Sequence, residues 1–128
     1  MAGVSLWMYR ALVAGLLPVA VPLLKIRDRL GGKSRPPFSA RFARDLPALE
    51  HGGFWLHAVS VGEVEIARRL LRELETHAPD LPVLLTATTA TGLALARKST
   101  GDRIPVAPCP LDLPGPVGRV FDAARPQA

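Results

Sequence analysis

The sequence predicts an α/β fold built on a parallel sheet, and three observations predict it. A short apolar strand pattern, Phe54–Val59, runs directly into a helical pattern that begins at Val61. The same order then recurs, with Pro82–Thr86 reading as a second strand and Ala90–Lys98 as a second helix. A weaker third strand follows at Arg103–Ala107. Strand, helix, strand, helix, strand at this spacing implies right-handed crossovers on a parallel sheet. The expected architecture is a Rossmann-like parallel sheet preceded by a hydrophobic helix.

The amino-terminal segment is unlike the rest. Val4–Leu24 is apolar apart from Ser5 and Arg10, with Trp7 and Tyr9 near its start. Its uninterrupted run, Ala11–Leu24, has 14 residues, short of the ~20 that cross a bilayer as a helix. Counting from Ala2 reaches that length, with Arg10 close enough to the end to snorkel. Pro18 and Pro22 are expected to kink the second half. Positive charge mainly follows the apolar run, which argues against a cleaved signal peptide. The expected organisation is a membrane-anchor helix over 1–24, a basic linker over 25–50 and a partial α/β domain over 51–128. Gly31-Gly32-Lys33-Ser34-Arg35-Pro36-Pro37 breaks any helix and marks the linker.

Charge follows the same division. The chain has 128 residues and a net charge of +5. Residues 1–50 carry 8 basic and 3 acidic side chains, whereas residues 51–128 carry 8 of each. A nucleic-acid binder places its basic residues on the folded face, and here that face is neutral. No nucleic-acid partner is expected. An anionic membrane surface fits better, with Lys25, Arg27, Arg29, Lys33, Arg35, Arg41 and Arg44 as contacts to lipid phosphates. Each adds about 1 kcal/mol of attraction near such a surface and helps hold the following domain on the cytoplasmic side. Cys109 is the single cysteine, so no intrachain disulfide can form, and no metal-ligand spacing is present. Neither a metal nor an organic cofactor is expected.

Within 51–128 each element has its own cause. Gly52-Gly53 introduces the first strand. In the helix after it, Val64, Ala67, Leu70 or Leu71, and Leu74 recur at helical spacing, with arginines and glutamates on the other side. Beyond His77, Pro79-Asp80 makes a turn. Thr88 or Thr89 is available to cap the second helix, whose first turn contains Gly92. Pro105 weakens the third strand. Pro108, Pro110, Pro114 and Pro116 impose an irregular loop, and Val117–Ala124 reads as a last short helix.

Chemistry is expected beyond the carboxyl ends of the strands, where parallel sheets bind ligands. Glu63 falls there, in the first turn of a helix. Ser60-Val61-Gly62-Glu63 fits a capping box, in which Ser60 accepts from a first-turn amide and Glu63 reaches back; such a device is worth roughly 0.5–2 kcal/mol. The same glutamate could instead be a general base beside amides able to hold an anion. Spacing alone leaves both open. Thr89, Thr91, Gly92 and Asp112 are each either caps or site residues, and His57 is either a hydrogen-bonded residue under the loop or a substrate contact.

Trp55-Leu56-His57-Ala58-Val59-Ser60-Val61-Gly62-Glu63 resembles the signature of the bacterial 3-deoxy-D-manno-octulosonic acid (Kdo) transferases of lipid A assembly. Thr86-Ala87-Thr88-Thr89-Ala90-Thr91-Gly92 is similar to that family's threonine-rich turn, and Pro110-Leu111-Asp112-Leu113-Pro114 to its Pro-x-Asp-x-Pro segment. The resemblance implies the acceptor-side domain of a two-domain GT-B glycosyltransferase, transferring Kdo from CMP-Kdo to a lipid A precursor at the cytoplasmic face of the inner membrane. It implies Glu63 as general base in an inverting displacement. Ser60, Gly62, His57, Thr89, Thr91, Gly92 and Asp112 are then substrate-binding candidates. Family members commonly carry a glutamate in an arginine-rich element; Arg41-Phe42-Ala43-Arg44-Asp45 keeps the arginines without it, which leaves them lipid contact. Because the family continues with further strands and a second domain, this chain is expected to be an inactive amino-terminal fragment. The reading from another class is a small membrane-tethered, non-catalytic α/β binding protein in which Glu63 is only a cap.

Overall fold

The computed structural model describes residues 2–30 and 36–128. The chain divides into two units, Met1–Gly32 and Lys33–Ala128. In the first, α1 (Ala2–Leu30) is helical through both Pro18 and Pro22 and runs past the expected end at residue 24. Among the described residues no helix is long and apolar enough to cross a membrane. Arg10 and Lys25 bracket the apolar stretch Ala11–Leu24, which is shorter than a bilayer crossing needs. The Gly31–Arg35 part of the expected linker lies outside the described residues.

The second unit is a three-stranded parallel sheet in the order β1-β2-β3, formed by β1 (Phe54–Ala58), β2 (Val83–Ala87) and β3 (Val106–Pro108). Helices α2 (Val61–His77), α3 (Ala90–Thr100) and α4 (Pro114–Ala124) alternate with the strands and follow the last. The α/β reading holds, with shifted ends. The third strand lies at 106–108 instead of 103–107, because Pro105 has no N–H to give and joins the ladder only through its carbonyl, which accepts from the Leu85 N–H at 3.0 Å. The last helix begins at Pro114 instead of Val117. Proline suits the first helical position, where its missing N–H has no partner to lose.

Side chains on β2 alternate between two cores. On one face Leu85 and Ala87 pack with Ala58, Val64, Leu71, Leu93 and Ala96. The α2 stripe therefore uses Val64, Ala67 and Leu71, while Leu70 is exposed. On the other face Leu84 packs with Ala43, Ala107, Val120 and Ala124, joined by Leu46, Leu49 and Trp55. Trp55 also meets Phe121 edge to face at 5.4 Å. A short 3₁₀ turn at Phe38–Phe42 is part of this unit: Phe38 and Ala43 are buried. The stretch expected to be basic linker thus contributes to the core.

Gly53 shows how tightly β1 enters the sheet. Its flanking amide, Phe54 N–H, donates to Pro82 O at 2.9 Å, and its own carbonyl accepts from Gln127 N–H at 2.8 Å. A Cβ on Gly53 would stand 1.7 Å from Pro82 O, so only glycine fits between these two backbones. Gly53→Ala is expected to lower stability by about 3 kcal/mol, the upper part of the overpacking range, measured by urea unfolding. Gly118→Ala, in the open interior of α4 with nothing within 4 Å of a new Cβ, should raise it by about 0.5–1 kcal/mol.

Candidate active site

The register brings the carboxyl ends of the strands level, with Ala58 opposite Ala87 and Ala87 opposite Pro108. The ladder continues one step further, as Thr88 N–H donates to Ala58 O at 3.2 Å and Cys109 N–H to Ala87 O at 2.9 Å. Three loops consequently leave the same edge: Val59–Ser60, Thr88–Thr89 and Cys109–Leu113. The candidate residues sit on or beside them.

Ser60 is the N-cap of α2, with extended backbone at φ −134° and ψ 173°. Its carbonyl accepts from Val64 N–H at 3.0 Å. Its hydroxyl makes no capping bond, which corrects the capping box expected here. Glu63 reaches one residue further back than that motif requires: Oε2 accepts from the Val59 N–H at 2.8 Å. The carboxylate is exposed, and among the described residues only Oε2 is engaged. Glu63 therefore closes the β1–α2 loop with one oxygen and leaves the other toward solvent.

The second helix is capped conventionally. Thr89 Oγ1 accepts from Gly92 N–H at 3.0 Å and from the Thr91 hydroxyl at 3.5 Å. Gly92 itself is buried, and a Cβ there would lie 2.8 Å from Thr89 Oγ1 and 3.6 Å from the backbone of Ser60. Its part is to let the start of α3 approach the Ser60 loop. Thr91 is exposed, as are Ser60, Gly62 and Asp112, the last in the loop between β3 and α4.

His57 also reaches this edge. It is exposed, with Nδ1 3.0 Å from Thr86 Oγ1 and Nε2 3.5 Å from Thr88 Oγ1. Thr86 was not singled out from sequence. Its signal was present but conditional, because only the β1–β2 register places it beside His57 and Trp55.

Of the basic residues expected on lipid, Arg41 turns inward. Its Nε donates to Cys109 O at 3.1 Å, and its carbonyl accepts from Leu111 N–H at 2.9 Å. Half-buried, it pins the third loop of the edge beside the buried Phe38 and Ala43. Arg44 is exposed and lies 5.7 Å over the Phe42 ring. The side chains of Lys25, Arg27 and Arg29, and all of Lys33 and Arg35, lie outside the described residues.

A hollow of about 820 Å³ opens at the opposite, amino edge, among Glu50, Phe54, Leu74, Asp80, Asp102 and Arg103. It lies at the wrong ends of the strands for ligand chemistry on a parallel sheet. The loops at the carboxyl edge form the candidate site.

Comparison with known proteins points to one family. The family model described as 3-deoxy-D-manno-octulosonic-acid transferase (kdotransferase) matches residues 25–128. The chain belongs to this family. It is similar to the 3-deoxy-D-manno-octulosonic acid transferase of Haemophilus influenzae, with 29% identity over 126 residues, covering 94% of this chain and 30% of that protein. It is also similar to the protein of the same name from Bordetella pertussis, with 34% identity over 128 residues, covering 93% and 29%. The chain thus spans less than a third of the length of these Kdo transferases. No solved structure matches it.

The two helix starts predict opposite outcomes for one kind of substitution. Thr89→Ala removes a cap and should cost about 1 kcal/mol. Ser60→Ala removes a hydroxyl with no capping bond and should change stability by less than about 0.5 kcal/mol. Thermal unfolding of the two variants measures both.

Proposed function

We propose that this segment is the acceptor-side part of a Kdo transferase of the GT-B type. It serves a reaction that moves Kdo from CMP-Kdo to a lipid A precursor at the cytoplasmic face of the inner membrane. The observation that carries the reading is Glu63, exposed at the carboxyl edge with one carboxylate oxygen held by Val59 N–H at 2.8 Å. Family membership supports the substrate class.

The chemistry follows from what a sugar hydroxyl lacks. It is a weak nucleophile, and a fixed carboxylate within reach can take its proton as it attacks. In an inverting displacement the acceptor oxygen bonds to the anomeric carbon of Kdo, the bond from that carbon to the phosphate oxygen breaks, and CMP departs with the electron pair. The proton ends on Glu63. Ser60 and Gly62 shape the turn, while His57, Thr91 and Asp112 line the same edge. The reading uses no metal and no organic cofactor. The donor nucleotide is assigned to a domain beyond this segment, so the 128 residues by themselves do not transfer Kdo.

Membrane contact is assigned to α1. Leu12, Leu16, Val19, Leu23 and Ile26 are exposed at alternating spacings of four and three, which places them along one side of a helix. Such a row offers apolar contact to a membrane surface, and the basic residues from Lys25 onward suit anionic headgroups.

The bond from Glu63 to Val59 also serves the loop without any chemistry, and that favours a non-catalytic binding protein as the second reading. Glu63→Gln separates them, because glutamine keeps an acceptor for Val59 N–H yet is not a base. In the full-length protein the substitution should cut turnover at least ~100-fold with little change in melting temperature; equal losses of both leave only the cap. For the membrane, a protein lacking residues 1–30 should no longer float with anionic vesicles, and undiminished flotation counts against the assignment of α1.

A further inference from the structure

The Thr86 hydroxyl, on a fully buried residue of β2, has three partners. Trp55 Nε1 lies 3.0 Å away, Leu56 O 3.3 Å and His57 Nδ1 3.0 Å. A hydroxyl offers one proton and two lone pairs. The indole N–H can only donate, so it takes one lone pair. The Leu56 carbonyl can only accept, so it takes the proton. What remains toward His57 is a lone pair, and Nδ1 must carry a proton to use it. The opposite arrangement, with the hydroxyl proton given to the ring, surrenders the contact to Leu56 O and leaves the buried cluster one hydrogen bond poorer.

A neutral imidazole protonated at Nδ1 is bare at Nε2. That nitrogen, on an exposed residue at the carboxyl edge, can accept from the Thr88 hydroxyl at 3.5 Å, a long contact that a closer ligand hydroxyl would displace. The register that pairs His57 with Thr86 puts it one step before the loops bearing Glu63 and Thr89.

We propose that Thr86 locks His57 as the Nδ1–H tautomer, so that Nε2 stands as a built-in hydrogen-bond acceptor for a hydroxyl of the sugar bound at this edge. His57 is then a substrate-positioning residue distinct from the base. The identity of the ligand rests on the Kdo transferase reading; the tautomer does not. Such a site favours a ligand that carries a hydroxyl there over one that lacks it, since the acceptor would be left unmatched.

Two measurements on the full-length protein test this. Proton–nitrogen two-bond correlation spectra at about pH 8, above the usual imidazole range, should show His57 protonated at Nδ1, with His57→Asn assigning the signal. Thr86→Ser should keep the pattern and Thr86→Val should lose it. An Nε2–H pattern in the parent protein overturns the proposal, as does Thr86→Val leaving the tautomer unchanged. In the kinetic measurement, His57→Asn retains a donor for Thr86 but has no acceptor where Nε2 stood. It should raise the KM for the acceptor lipid about two- to tenfold, the range for one hydrogen bond, with kcat nearly unchanged. An unaltered KM overturns the sugar contact. Absence of transfer by the parent protein, with the Nδ1–H pattern present, sinks the transferase reading and leaves the tautomer standing.

Discussion

The second unit depends on β2 being covered on both faces. Leu84, Leu85, Thr86 and Ala87 are all buried, and neighbouring strands flank β2 on both sides. A central strand in that position has no freedom to slip, because a shift of one residue would exchange the two cores. The level strand ends follow from that constraint, and so does the meeting of three loops at one edge. It also forces the polar Thr86 to find partners inside the protein. It finds them in Trp55, Leu56 and His57, so one hydroxyl joins the core to the edge.

Packing at the edge is arranged to bring the loops together and hold them there. Gly92 has no side chain and so lets the start of α3 stand against Ser60, while Thr89 caps the same turn. Arg41 does the equivalent for the third loop, with its guanidinium on Cys109 O and its carbonyl on Leu111 N–H. These are contacts between the chain and itself. They fix the loops and leave Glu63, Thr91 and Asp112 exposed.

Much of the fold was legible because its signals are local. The change of period at Val61, the stripe from Val64 to Leu74 and the Thr89 cap each lie within a few residues, and each was found close to its expected place. Proline misled in two ways. It extends α4 toward the amino end, where the prolines alone suggest a loop, and it shortens β3 at its start. Charge marks the stretch after Pro36 as linker, whereas Phe38 and Ala43 decide its position by burial. Of the candidate site, the position of Glu63 could be read from the motif. Its actual partner could not, since reaching Val59 in place of Ser60 depends on loop backbone angles. The Thr86 cluster was beyond reach for another reason: it joins residues 31 and 29 positions apart and exists only once β1 and β2 are in register.

The grip of Glu63 on the Val59 amide has a further consequence. With Oε2 tied down, the carboxylate cannot spin freely about its last bond, and its second oxygen offers lone pairs along a restricted set of directions. In the proposed reaction, this narrows the directions from which an alcohol can give up its proton. The tie therefore sets where the free oxygen points as well as closing the loop.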